Sequence, residues 1–130
     1  MIVVDASALL EVLLRTGTGA RIEKRLFSRS ESLHAPHLLD VEVAQVLRRY
    51  AAAGELTEER GLEALTDLVD FPIHRYPHDV LLPRIWELRH NASAYDAAYL
   101  ALAETLAAPL VTCDGRLRSA PRHEATVEVF

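Results

Sequence analysis

Four acids stand at positions where the surrounding sequence points inward. Asp5 closes the apolar run Ile2-Val3-Val4, and Asp114 comes two residues after Thr112, so both belong to the carboxyl ends of expected strands. Glu42 has Leu39, Val43 and Val46 as helical neighbours and lies within an apolar stripe. Asp96 shares a face with Tyr99, Leu100 and Ala103, on a segment so rich in alanine that its backbone must approach the sheet closely. Each acid also has a local explanation. Asp5 can be an N-cap, worth about 1 kcal/mol, and Asp114-Gly115 is a familiar turn pair. Ser93-Ala94-Tyr95-Asp96 has the form of a capping box, in which the acid bonds back to the N-cap amide. Glu42 can pair with an arginine. None of these explains why an acid recurs at all four inward-facing positions, whereas convergence on one cleft does.

Convergence would be costly without a counter-ion. Two charges about 4 Å apart repel by about 4 kcal/mol at an effective dielectric of about 20, so a gathered cluster must protonate or bind a cation. An all-oxygen donor set without histidine or thiolate selects a hard ion, magnesium or manganese. Such an ion acidifies a water and orients it, which suits hydrolysis of a phosphodiester.

The elements that would position these acids alternate. Strands are expected at Ile2–Asp5, Ser32–Ala35, Ile73–Tyr76, Leu110–Thr112 and Thr126–Val129. After the first strand a helix carries Leu9, Leu10, Val12, Leu13 and Leu14, ending at Arg15, and Thr16-Gly17-Thr18-Gly19 breaks the chain before a helix from about Ala20 to Ser28. A long helix from about His37 to Ala53 is closed by Gly54, and Thr57 caps another from Glu58 to about Asp70. Helical spacing returns from His78 to His90, with Pro83 confined to a first turn or a kink. Ser93 opens the alanine-rich helix to about Ala107. This order favours one α/β domain over residues 1–130, a doubly wound, mostly parallel sheet with helices on both faces and its site beyond the strands' carboxyl ends.

Composition narrows the class. The chain has 130 residues, half of them apolar, enough for a single core. No stretch approaches the roughly 18 uninterrupted apolar residues of a membrane span. The N-terminus meets Asp5 without a preceding basic residue, unlike a secretory signal, so a cytoplasmic location is expected. One cysteine, Cys113, excludes an internal disulfide and a thiolate zinc site. The net charge of −5 does not exclude a nucleic-acid partner. A bound cation would offset part of it, and all the basic residues but Lys24 are arginine, suited to forked phosphate contacts.

The motifs Ile2-Val3-Val4-Asp5-Ala6-Ser7, Glu42-Val43, Tyr95-Asp96-Ala97-Ala98-Tyr99-Leu100-Ala101-Leu102-Ala103 and Leu110-Val111-Thr112-Cys113-Asp114-Gly115-Arg116-Leu117 resemble, in order and spacing, the PIN domain and within it the VapC toxins of bacterial toxin-antitoxin pairs. The resemblance covers essentially the whole chain. It implies a PIN-like fold, an acidic metal-binding quartet of Asp5, Glu42, Asp96 and Asp114, and a Mg2+- or Mn2+-dependent endoribonuclease leaving 3′-hydroxyl and 5′-phosphate ends. It further implies that Ser7 and Thr112 orient a carboxylate or a water, and that a homodimer is neutralised by a VapB-like antitoxin lying along the groove. The chain departs from the family at Gln45, where asparagine is common, and in having Gly115, Arg116 and Leu117 where some members add an acid.

Other expectations rest on the residues themselves. Arg15, Arg116 and Arg118, with Arg122, are candidates for RNA phosphates at the cleft mouth. Asp40 points about 100° away from Leu39, towards solvent. Trp86, Tyr50 and the other aromatics are assigned to the core, and the dispersed histidines receive no chemistry. Leu62, Leu65, Leu68 and Val69 give the central helical pair a candidate interface. Two other classes compete: a non-catalytic PIN-like module binding RNA or protein, and a phosphoacceptor receiver domain. The latter lacks its late lysine here, since no lysine follows Lys24.

Overall fold

A computed structural model describes all residues, Met1–Phe130. Five short strands, β1 (Ile2–Val4), β2 (Leu33–Pro36), β3 (Ile73–Tyr76), β4 (Leu110–Thr112) and β5 (Val127–Val129), form one sheet in the order β3-β2-β1-β4-β5. Every pairing is parallel. Ile2, Val3 and Val4 are all fully buried although successive side chains point to opposite faces, so helices cover both sides of β1. The helices are α1 (Ala6–Leu13), α2 (Gly17–Phe27), α3 (Leu38–Ala52), α4 (Glu58–Asp70), α5 (Leu82–Glu87), α6 (Ala94–Leu106) and α7 (Gly115–Ser119). The alanines at 97, 98, 101 and 103 let α6 lie close on β1, β2 and β4.

The strand order reverses at β1, which leads to β2 on one side and pairs with β4 on the other. A crevice opens beyond the carboxyl ends of strands at such a switch point. Asp5 and Asp114 follow the two strands that flank it.

Several boundaries differ from the sequence expectations. The second helix starts at Gly17, because Thr16 caps it by accepting the Gly19 amide at 2.9 Å. Its glycines belong to the first turn, where α2 backs onto α1. The segment expected as one helix from His78 to His90 is a 3-10 turn (Asp79–Leu81) followed by α5, with Pro83 in the first turn where its missing N–H costs nothing. Arg15 lies beyond α1 with φ +56°. Gly54, at φ +74°, ends α3 as expected of a C′ glycine. The helix α7 was not foreseen.

The aromatic assignment fails for four residues. Trp86 is 68% exposed and carries Arg89 over its ring at 4.5 Å, while Tyr95, Tyr50 and Phe27 also face outward. Tyr99 is core. On α4, Leu68 is buried and Leu65 packs against the core, leaving only Leu62 and Val69 exposed. Asp40 is paired with Arg75, whose Nε donates to its two oxygens at 3.0 and 2.8 Å, tying α3 to β3. The histidines are less dispersed than they look in sequence. His34 stacks on His74 across β2 and β3, and its ring nitrogens meet Ser32 and Tyr76 at 2.7 and 2.6 Å.

Candidate active site

A pocket of about 670 Å³ lies at the switch point, and Asp5, Glu42, Asp96 and Asp114 all line it. The elements bring the acids there from four directions: the β1–α1 turn, the second turn of α3, the first turn of α6, and the β4–α7 turn.

Asp5 is the most constrained. Its Oδ1 accepts the Ala8 amide at 3.0 Å and the Ser7 hydroxyl at 2.7 Å, and its Oδ2 accepts the Thr112 hydroxyl at 2.6 Å. Capping and convergence therefore coexist in one side chain. The two hydroxyls are fixed in turn, Ser7 by the Cys113 amide and Thr112 by the Asp114 amide, each at 2.9 Å. This network stitches the ends of β1 and β4 together. Burial raises the Asp5 pKa above the usual carboxylate value in spite of these donors, and the charge of Asp96 adds to the rise.

Glu42 finds no arginine. Its Oε1 accepts the hydroxyl of buried Tyr99 at 2.7 Å. Burial raises its pKa, opposed by Tyr99 and reinforced by the charges of Asp5 and Asp96. Tyr99 itself is driven strongly upward, by burial first and then by Glu42, so it stays protonated as the donor. Asp96 makes only half of the expected capping box: Ser93 Oγ accepts the Asp96 amide at 3.1 Å, while no bond from the carboxylate to the Ser93 amide forms. The acid is thereby left facing the pocket. Its pKa rises through burial and the charge of Asp114, tempered by Ser93 and Arg116. Asp114 behaves in the opposite way. Arg116 grips both its oxygens, Nη2 at 2.7 Å being the shortest contact, and holds its pKa below the usual range.

Three of the four carboxylates thus bind protons more tightly than free side chains do, through burial first and the charges of their neighbours second. The donor set is all oxygen, as a hard divalent ion requires. The groups share one pocket without being drawn to ligating distance, since no three His, Cys, Asp or Glu side chains form a ready metal-ligand group.

Of the candidate arginines, Arg116 lines the pocket and the others do not. Arg15, on its left-handed backbone, reaches Glu63 and Asp67 of α4 at 3.7 and 3.9 Å. Arg118 lies two residues beyond Arg116, about 200° around the helix, and its Nε donates to the Val127 carbonyl at 3.4 Å. The carbonyl of Arg122 accepts from Arg84 at 2.8 Å, also away from the pocket. Sequence reading missed Arg49 and the pocket-lining position of Gln45. The signal was present: Gln45 and Arg49 follow Glu42 by three and seven residues and share its helical face. Cys113 also lines the pocket, its thiol pKa raised by burial first and then by Asp5.

The sequence model of the PIN domain matches residues 2–123. Ribonuclease VapC1 of Mycobacterium tuberculosis is 46% identical over 123 residues, covering 92% of this chain and 90% of its own. Ribonuclease VapC12 of the same organism is 40% identical over 129 residues, covering 99% and 98%. The crystal structure of VapBC2 from Rickettsia felis, bound to a DNA fragment from their promoter, superposes with a TM-score of 0.73 over 100% of this chain and 99% of that one. At 12% identity that likeness concerns the fold alone. The chain belongs to the PIN domain family and, within it, to the VapC ribonucleases.

Proposed function

We propose that this chain is a Mg2+- or Mn2+-dependent endoribonuclease, the toxin of a toxin-antitoxin pair. The observation that carries the reading is the meeting of Asp5, Glu42, Asp96 and Asp114 in one pocket at the sheet's switch point. These four would hold the ion. When bound, a hard cation there acidifies a water and offsets charge on the scissile phosphate.

The chain's own groups divide the remaining work. Ser7 and Thr112 hold Asp5 in a single orientation, and Tyr99 does the same for Glu42. Asp96, whose carboxylate is free of the expected capping bond, is the acid best able to adjust its position. Arg49 and Arg116 stand on the pocket wall, where guanidinium groups meet phosphate oxygens. A cytoplasmic place of action accords with an RNA substrate, and no helix is long and apolar enough to cross a membrane.

Thermal unfolding tests the metal. Saturating Mg2+ or Mn2+ is expected to raise Tm near neutral pH, a ligand at about 100 times its Kd contributing about 2.7 kcal/mol. The shift should fade as pH falls through the raised carboxylate pKa values, because protonation displaces the ion. RNA cleavage should stop on chelation and return with the divalent ion. A Tm indifferent to both metals, with cleavage surviving chelation, would defeat the reading.

The antitoxin we propose places a basic side chain against the acids, as the pocket's charge favours. A homodimer could use exposed Leu62 and Val69 of α4, or Val80, Leu82 and Trp86 around α5. Sedimentation of the chain alone, and co-expressed with the product of any small adjacent reading frame, is expected to show a dimer and a larger complex. A monomer in both samples would reject these two assignments.

A further inference from the structure

Tyr95 is an aromatic ring with no structural employment. It is 66% exposed and is neither part of the core nor among the partly buried residues packed on it, yet it lines the acidic pocket. It immediately precedes Asp96 on the first turn of α6. Tyr50 also lines the pocket but is only 36% exposed, and Trp86, with Arg89 over its ring, lies outside it. Arg116 lines the same pocket; its Nε and Nη2 hold Asp114 while the side chain remains 86% exposed, leaving Nη1 free to face an incoming anion.

From this juxtaposition of open ring, guanidinium and carboxylate we infer that Tyr95 is a stacking platform for an unpaired RNA base next to the cleaved phosphodiester. The inference rests on the ribonuclease reading above and adds a substrate requirement to it. Because Tyr95 adjoins Asp96 in the chain, a base next to a phosphate seated in the pocket is within a nucleotide's length of the ring, and a flat face suits every base. Bases inside a duplex are already stacked and cannot turn onto a side chain, so the platform selects loops, bulges and single strands. The ring contributes to binding and not to bond cleavage; Tyr95 is a specificity residue.

The test compares Tyr95→Ala, Tyr95→Leu and Tyr95→Phe with wild type, using a random-sequence single-stranded RNA pool carrying 2-aminopurine and the same pool annealed to its complement. Tyr95→Ala and Tyr95→Leu should raise KM and Kd for the single strands about tenfold, with kcat little changed. Tyr95→Phe should restore wild-type values and 2-aminopurine quenching, and the duplex should bind independently of residue 95. Equal performance of leucine and phenylalanine, or an effect confined to antitoxin binding, would overturn the inference. Cleavage indifferent to Tyr95 overturns it while sparing the ribonuclease reading. If wild type cleaves nothing, that reading fails and the quenching measurement alone decides for or against the platform.

Discussion

Asp5→Asn is expected to reduce RNA cleavage by about a thousandfold or more, the loss of several kcal/mol of charge stabilisation that a metal ligand supports. The fold should survive. Asparagine keeps one oxygen to accept the Ala8 amide and the Ser7 hydroxyl, and its amide nitrogen faces Thr112 Oγ1 where the second carboxylate oxygen stood. The Thr112 proton can turn to Ser7 Oγ, 3.3 Å away. The substitution also removes a buried charge next to Asp96. Because burial raises the folded pKa of Asp5, the folded state retains a proton that the unfolded state has lost, and stability falls as pH rises through the raised value. The variant escapes that loss. Its Tm should therefore equal or exceed that of metal-free wild type near neutral pH, with the gap closing as pH falls through the raised pKa. Cleavage within tenfold of wild type would remove Asp5 from the chemistry, and a variant unfolded at neutral pH would make it a structural cap.

How far the sequence discloses this arrangement depends on how local each signal is. The strands are legible because each is a short apolar run bounded by acids, prolines or turn residues, and β3 sits between Pro72 and Pro77 as expected. Thr57 and Ser93 cap α4 and α6 through their hydroxyls, a signal contained within four residues. The helix α7 is illegible because five residues with one buried side chain, Leu117, hold too little periodicity to register. The acids follow the same rule. Asp5 and Asp114 can be read from strand ends, and Glu42 from its apolar neighbours. The partner of Glu42 cannot, because Tyr99 is 57 residues away and meets it only where α3 and α6 border the same pocket. Arg15 and Arg118 fail for the converse reason: proximity along the chain says nothing about direction once a left-handed residue or half a helical turn intervenes.

The same limit makes Gly19 informative, since its sequence reads as a chain break and its structure is a close contact. A Cβ built on Gly19 would lie 2.0 Å from the Glu11 carbonyl oxygen and 2.5 Å from its carbon, both backbone atoms of α1. Main chain cannot rotate away as a flexible side chain would. Gly19→Ala must separate α1 from α2, and we expect it to cost about 3 kcal/mol, at the upper end of overpacking penalties, and to lower Tm by about 10 °C. Gly17→Ala is the control. It lies two residues earlier in the same turn with nothing within 4 Å of its added carbon, and should leave Tm unchanged or slightly higher. The displacement should also reach the site, because α1 begins at the Asp5 cap and Glu11 lines the pocket. Cleavage by the folded fraction of Gly19→Ala is therefore expected to fall even below its melting temperature, where Gly17→Ala retains wild-type rates. Equal melting of the two variants would show that the helices are not held together by this contact, and that the Thr16-Gly17-Thr18-Gly19 segment acts only through its Thr16 cap.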